Sequence, residues 1–294
     1  LDPLPFFLAE IMASNIGGTA TLIGDPPNIM IGSAAGLSFA DFVMVDAPAA
    51  IICLIVMIGL FYLLFGRKFK VDEEHRRALM ERDEREEIKN PTLLRQSVIM
   101  IILVTAGFML HGSLGIESCV VALTAAGILM LISGERIEEA LAHVEWTTLV
   151  FFAGLFIVVG ALSEVGVIGM LAQALIDVTG GSTFIAMLVL LIASAIISSF
   201  LDNIPFVATM IPILLSMEAT GMDVMPLWWA VSLGACLGGN GTLIGASANV
   251  VMSDISRKNG HVITFAHFFK VGFPTMLATV AVSAIYLIVR FPPM

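Results

Sequence analysis

Two short segments of the chain carry residue types that bind ions, and both follow one pattern. Residues 15–28 read NIGGTATLIGDPPN and residues 236–249 read CLGGNGTLIGASAN. Each glycine of a Gly-Gly pair weakens a helix by about 1 kcal/mol relative to Ala, and an interrupted helix frees backbone N–H and C=O groups. The neighbouring Thr hydroxyls and Asn amides accept a cation or donate to an anion. The pattern predicts an ion site at two broken helices, although Gly-Gly pairs also permit close helix packing.

The predicted substrate- and ion-binding residues come from these two segments and from a third, around residue 202. In chain order they are Asn15, Gly17, Gly18, Thr19, Thr21, Asn28, Asp202, Asn203, Pro205, Gly238, Gly239, Asn240, Thr242 and Asn249. The half-helix that follows each Gly-Gly break directs its N-terminus at the gap, which favours negative charge there.

Ionisable residues within apolar stretches are functional candidates. Asp202 is predicted to bind a proton or another cation. Asp25 has Ala246 at its place in the second segment. It is therefore either an asymmetric proton-coupling group or a residue that caps and kinks the half-helix beginning at Pro26. The other candidates are expected near the membrane interfaces, solvated by water: Glu10, Asp46, His111, Glu117 and Glu164.

No cofactor and no metal site are predicted. Cys53, Cys119 and Cys236 occur singly in apolar segments without the spacing of metal ligands. All three cysteines are therefore expected to be buried and to pack as small hydrophobic side chains.

The composition indicates a membrane protein. Of 294 residues, 58% are hydrophobic and 13% are charged, and the mean hydropathy is +0.99, whereas soluble domains carry about 25% charged residues. Several apolar stretches reach the roughly 20 residues that a helix needs to cross a bilayer. The fold class is therefore all-α and polytopic, with lipid as the main partner. No basic patch with interleaved aromatic residues points to nucleic acid.

The charged residues 67–95 fix the predicted topology. This stretch holds nine of the fourteen Lys and Arg residues and should be cytoplasmic by the positive-inside rule, in the inner membrane of a bacterium or archaeon. Spans are predicted at 43–66, 96–112, 116–133, 147–163 and 271–290, with an amphipathic stretch at 164–181.

Residues 182–217 are predicted to form a re-entrant hairpin that turns at Asp202–Pro205, because proline removes a backbone donor and the residue before it avoids helical angles. A single kinked span is the alternative. If this hairpin forms, the broken helix predicted at 226–257 runs inward. It then brings Arg257 and Lys258 to the cytoplasmic face, where Lys270 also lies.

An internal duplication underlies this arrangement. Residues 15–29 and 236–250 share seven identities, Phe39-Ala40-x-Phe42 matches Phe265-Ala266-x-Phe268, and Pro48 matches Pro274. The topology makes the copies antiparallel, as in secondary transporters with inverted repeats. The expected domains are 1–66, the remainder of the first repeat; 67–95, a linker; and 96–294, the second repeat. A matching first hairpin would require roughly 120–130 further residues upstream.

Residues 13–42 (ASNIGGTATLIGDPPNIMIGSAAGLSFADF) resemble the arsenite-permease/NhaD and citrate-transporter-like group of the ion transporter superfamily. They look closest to the branch that contains the pink-eyed-dilution P protein. Residues 198–212 and 238–251 resemble the group's second-half motifs. The resemblance implies a homodimeric secondary carrier that works by an elevator-like movement, with solute between the tip at Asp202-Asn203 and the two broken helices. The Ser-Asn-Thr tip of the sodium/dicarboxylate relatives is absent, since residues 201–205 read LDNIP.

The leading functional hypothesis is proton-coupled export of arsenite or antimonite, with no enzymatic activity. A Na⁺/H⁺ antiporter and a citrate or carboxylate carrier are alternatives on the same fold. A passive channel is another alternative, and saturable flux would distinguish the carrier from it. An intramembrane aspartyl protease would use Asp25 and Asp202 as a dyad, but its Gly-x-Gly-Asp signature is missing and proteolysis does not explain the duplication.

Overall fold

The computed structural model describes residues 3–66, 77, 80, 88, 90–134, 137–142, 144 and 146–293. Most of the predicted cytoplasmic linker, 67–95, lies outside the described residues. The described residues form α-helices and no β-strand, so the predicted all-α fold class is confirmed. The helices are α1 Leu4–Thr19, α2 Pro26–Ala35, α3 Phe39–Leu64, α4 Pro91–Leu114, α5 Ser118–Ser133, α6 Ile137–Ala142, α7 Trp146–Glu164, α8 Val167–Thr179, α9 Thr183–Phe200, α10 Asn203–Ala219, α11 Met225–Gly238, α12 Ser247–Lys258 and α13 Phe265–Arg290.

Five of these helices are long and apolar enough to cross a bilayer: α3, α4, α7, α9 and α13. Four of them coincide with predicted spans. The last begins at Phe265 rather than at 271, because the Thr264 hydroxyl accepts a hydrogen bond from the backbone N–H of His267 and caps the helix there. The predicted span at 116–133 is the 16-residue helix α5.

The chain divides into two compact units. The smaller comprises Ser38–Ala40 and Phe69–Phe151 (with Leu1), and the larger comprises Asp2–Leu37, Asp41–Lys68 and Phe152–Met294. In the smaller unit, α4 packs on α5. These two helices leave large apolar side chains exposed, including Leu123 and Leu131. Such a surface suits contact with lipid chains rather than with water.

Helix α11 forms the centre of the larger unit. Every residue from Pro226 to Gly238 is buried, and α11 packs most extensively along α9. A Cβ atom on Gly234 would lie 2.6 Å from the Leu191 carbonyl oxygen, and one on Gly238 would lie 2.6 Å from that of Ala195. The two glycines therefore let the backbones of α9 and α11 approach closely, as small residues do in membrane helices.

The two copies of the duplicated sequence contain the same succession of helices. In each copy a short helix, a loop and a second short helix precede a helix of 26 residues: α1–α2–α3 and α11–α12–α13. Pro48 lies inside α3 and Pro274 inside α13. Phe42 and Phe268, at matching positions, are both fully buried.

The chain breaks between α9 and α10 where Asp202–Pro205 predicted it would. Leu201 has an extended backbone and Asp202 has the non-helical angles φ −53° and ψ 138°. The Asp202 carboxylate caps α10 by accepting from the backbone N–H of Ile204 at 3.0 Å. The re-entrant path of α9 and α10 through a membrane stays a prediction.

Candidate functional site

The loop between α1 and α2 is held by one buried amide. Nδ2 of Asn28 donates to the carbonyl oxygens of Thr19 and Thr21, both at 3.1 Å. A Cβ atom on Gly18 would lie 2.7 Å from the carbonyl oxygen of Gly24, so only glycine allows the two ends of the loop to meet this closely. The Asn28 side chain thus satisfies carbonyl groups that the end of α1 leaves unpaired.

The loop between α11 and α12 is built in the same way. Nδ2 of Asn249 donates to the carbonyl oxygens of Gly239 at 2.7 Å and Thr242 at 2.9 Å. A Cβ atom on Gly245 would lie 2.9 Å from the Gly239 carbonyl oxygen. In both copies, therefore, the shared Asn binds the carbonyl groups of the loop and the shared glycines allow the ends of the loop to approach closely.

The two loops also contact each other reciprocally. Nδ2 of Asn15 donates to Oδ1 of Asn249 at 2.8 Å and to Oδ1 of Asn240 at 2.9 Å. At the matching position of the second copy, the Cys236 thiol donates to Oδ1 of Asn28 at 3.4 Å. Residues 15 and 236 thus each bind the Asn that ends the motif in the other copy.

The tip between α9 and α10 contacts the start of the second half-helix in each copy. Nδ2 of Asn203 donates to both oxygens of the Asp25 carboxylate, at 3.1 and 3.3 Å. The Ser247 hydroxyl donates to Oδ2 of Asp202 at 3.1 Å. Asp25 occupies the N-cap position of α2, but its side chain makes no capping hydrogen bond. Of the two readings of Asp25, capping is therefore not supported by the geometry.

A cavity of about 140 Å³ opens where the three segments meet, bordered by Asn15, Asp25, Asn203 and Ser247. At about 30 Å³ per water molecule, it has room for roughly four or five. None of the described residues that line it is Lys, Arg or His. The cavity presents carboxylate, amide and hydroxyl groups, which suit a proton, a small cation or an uncharged hydroxylated solute.

Many of the predicted site residues are buried, and some of them hydrogen-bond to one another. Asn15, Thr19, Asn28, Asn203, Asn240, Thr242 and Asn249 are buried in the larger unit. The Thr242 hydroxyl donates to the Ser199 carbonyl oxygen beside the tip. Of the predicted site residues, Asn15, Asp25 and Asn203 are the ones in the described lining of the cavity, and Asp202 is not. Gly238 supports the contact with α9.

Asp46 was expected near an interface, and that prediction is wrong. The residue is fully buried, and Oδ2 lies 2.6 Å from the Ser232 hydroxyl. Ser232 was not singled out from the sequence. The sequence did contain a sign that Asp46 has a buried partner. Its carboxyl group lies inside the apolar run 43–66, where an ionisable group costs free energy unless it is paired. The prediction for cysteine is confirmed for Cys53 and Cys236, which are buried, but is wrong for Cys119, which is exposed.

Comparisons with known proteins place the chain in a family. The family model described as "Citrate transporter" matches residues 1–234. The 46 kDa membrane protein of Mycobacterium leprae is 43% identical over 294 residues, covering 99% of this chain and 68% of that protein. An uncharacterized transporter of Mycobacterium tuberculosis is 45% identical over 295 residues, with the same coverage.

The mouse P protein is 32% identical over 369 residues, which cover 98% of this chain and 44% of that protein. The predicted resemblance to this group of transporters, and to the branch with the P protein, is confirmed. The chain spans about two thirds of the length of the mycobacterial relatives. It belongs to the citrate transporter family and is an integral membrane transporter of that family.

Proposed function

We propose that the protein is a secondary active carrier whose coupling ion and solute bind at the cavity between the two broken-helix loops and the α9–α10 tip. The observation that carries this proposal is the convergence of three chain breaks on one small polar cavity. Asn15 joins the two loops, and Asn203 joins the tip to Asp25. Broken helices at membrane depth are tolerated where they line such a cavity.

The reciprocal contacts between the copies support inverted repeats, because carriers with such repeats bind solute where the repeats meet. Rocking or elevator-like movement of the site would then give alternating access. The homodimer and the inner-membrane location rest on the family resemblance alone and belong to this proposal.

Proton-coupled export of arsenite or antimonite is the transport reaction we propose. At neutral pH arsenite is mainly the uncharged trihydroxy acid, so it can exchange hydrogen bonds with amides and carboxylates without needing a cationic residue. The size and lining of the cavity match such a solute. A free citrate trianion fits less well, because the described lining offers a carboxylate and no positive side chain.

A Na⁺/H⁺ antiporter is the second candidate, and one observation favours it. The Asp25 carboxylate and the Ser247 hydroxyl border the same cavity, and oxygen ligands of this kind suit hard cations. An aspartyl protease is not favoured, because the Asp25 carboxylate accepts hydrogen bonds from the Asn203 amide, and the Asp202 carboxylate accepts from Ser247 and Ile204 instead of sharing a proton with Asp25.

The test uses the complete protein in everted membrane vesicles. An imposed pH gradient should drive saturable arsenite uptake, since a carrier moves a limited number of solutes per cycle. Sodium-dependent collapse of the gradient without arsenite movement would assign the antiporter instead. Flux that does not saturate, or large single-channel currents, would contradict the carrier.

A further inference from the structure

We propose that Asp46 is a second proton-binding site, neutral in this conformation, whose proton controls the loop between α1 and α2 through Ser232 and Asn28. This inference rests on the proposed carrier function, because it supplies that carrier with a proton site apart from the solute cavity. Asp46 lies on α3, Ser232 on α11 and Asn28 on α2. Their side chains form a continuous, fully buried chain.

Two short oxygen–oxygen contacts define this chain. The Ser232 Oγ atom lies 2.6 Å from Oδ2 of Asp46 and 2.7 Å from Oδ1 of Asn28. Oxygen atoms this close are joined by a hydrogen bond and need a proton between them. The chain therefore requires two protons, one for each contact.

The orientation of the Asn28 amide is fixed by its surroundings. Nδ2 faces the carbonyl oxygens of Thr19 and Thr21, which can only accept. The atom that faces Ser232 is consequently Oδ1, which carries no proton. Asn28 cannot supply either of the two protons that the contacts need.

The proton count then assigns the state of Asp46. The Ser232 hydroxyl has one proton, which serves one contact. The other proton must be on Asp46, whose carboxylic acid donates to Ser232 Oγ while Ser232 donates to Asn28. Within the described part of the chain, no Lys or Arg pairs with Asp46, and its Oδ1 atom is buried without a partner. An ionised carboxylate there would carry a large desolvation cost.

The titratable groups that face Asp46 from other helices do not change this assignment. Cys236 on α11 and Tyr286 on α13 interact with it electrostatically. The Tyr286 hydroxyl donates to the Val45 carbonyl oxygen at 2.7 Å. Neither residue carries a positive charge, so neither stabilises an ionised Asp46.

The duplication provides no counterpart of this hydrogen-bonded series at the matching positions. Gly272 stands at the position of Asp46 in the second copy, and Ile11 stands at the position of Ser232 in the first. Asn28 and Asn249, by contrast, hold the loops in both copies. The positions that bear protons are therefore those at which the copies differ.

If Asp46 lost its proton, the direction of hydrogen-bond donation between Asp46 and Ser232 would reverse. The Ser232 hydroxyl would turn to the new carboxylate, leaving Asn28 Oδ1 with the weak thiol donor of Cys236 at 3.4 Å. Because the same amide holds the carbonyls of Thr19 and Thr21, the change reaches the loop that carries Asp25. Deprotonation would thus loosen one side of the solute cavity.

Infrared spectroscopy of the purified complete protein at neutral pH tests the assignment directly. The difference spectrum between the wild type and Asp46→Asn should show loss of a C=O stretch of a protonated carboxylic acid. Asp177→Asn removes an exposed carboxylate on α8 and should leave that band in place. Loss of carboxylate bands instead of the acid band in Asp46→Asn would overturn the proposal.

Ser232→Ala provides a second variant that keeps Asp46. Without its hydroxyl acceptor, the acid band of Asp46 should shift to higher frequency. An unchanged band would show that Asp46 donates elsewhere and would overturn the proposed chain. Both results can be read even from a preparation that moves no solute.

Transport measurements distinguish a failure of this inference from a failure of the proposed carrier function. In vesicles, Asp46→Asn should lose the coupling of solute movement to the pH gradient, whereas Asp177→Asn should retain it. Full coupling in Asp46→Asn would overturn the role of Asp46 and leave the carrier standing. Absence of flux in the wild type would contradict the carrier while the infrared result still stood.

Discussion

At the scale of single residues, Asn15 joins the two copies of the motif through its side-chain amide. Its Nδ2 atom satisfies the amide oxygens of Asn240 and Asn249, both of which are buried. A buried polar atom without a partner costs about 1–3 kcal/mol. One side chain therefore keeps two such atoms satisfied.

Asn15→Ala should lower the free energy of unfolding by roughly 2–4 kcal/mol, because two buried amide oxygens lose their donor. The midpoint of thermal unfolding in detergent measures the effect. Asn259→Ala is the matched control, since that amide lies exposed at the end of α12 and donates to the Ile255 carbonyl oxygen. Equal midpoints for the two variants would contradict the proposed role of Asn15.

Residues of the duplicated motif and of the tip at Asp202-Asn203 were predictable, whereas the pairing between them and the contact of Asp46 with Ser232 were not. Asn28 and Asn249 stand out because the pattern repeats with them in register. Asp46 and Ser232 stand out only when α3 and α11 are packed together, since each lies in an apolar run whose buried face the sequence does not mark. Asp25 and Asn203 were both singled out from the sequence, but their hydrogen bond was not, because they lie 178 positions apart.

At the scale of elements, the breaks in the helices depend on glycine at particular positions. Gly18 faces the carbonyl oxygen of Gly24, whereas a Cβ atom on Gly17 would meet no atom within 4 Å. The adjacent glycines of one motif therefore have different roles. Gly18 permits close backbone approach, and Gly17 has space for a side chain.

Gly18→Ala should lower both transport and thermal stability, with a cost of about 1–3 kcal/mol, because backbone atoms must move to admit the new methyl group. Gly17→Ala is the adjacent control and should be neutral or slightly stabilising, by up to about 1 kcal/mol, because Ala favours the helix. Flux assays and unfolding midpoints on both variants measure the difference. Comparable losses in the two variants would refute this account of the loop.

Helix boundaries were predicted well where the sequence contains a strong local signal. Proline and glycine marked the breaks after Phe200 and after Gly238, and the structure has helix ends there. The start of α13 was placed six residues late, because the cap at Thr264 is a single polar residue inside an otherwise apolar pattern. Local caps are weaker signals than apolar periodicity, so they are easily overlooked.

At the scale of the whole molecule, the account requires that the two copies run in opposite directions through the membrane. The reciprocal pair Asn15–Asn249 and Cys236–Asn28 supports a two-fold relation. The direction of each copy relative to the bilayer comes from the positive-inside rule.

Cysteine labelling with a membrane-impermeant maleimide tests the topology. In a Cys119→Ala background, Lys89→Cys and Asn259→Cys should label from the cytoplasmic face, and Asp223→Cys should label from the opposite face. Cys53 and Cys236 are buried and should not react. Labelling of positions 223 and 259 from one face would rule out the re-entrant hairpin followed by an inward-running broken helix.

The most direct test of the central claim measures proton movement in proteoliposomes that contain the purified complete protein and a pH-sensitive dye. Addition of arsenite, or of sodium in parallel samples, should move protons in the wild type and in Asp177→Asn. The movement should be lost in Asp25→Asn and Asp202→Asn, because these carboxylates border or cap the segments that enclose the cavity. Wild-type proton movement in Asp25→Asn would contradict the account, since Asp25 is the carboxylate that lines the cavity.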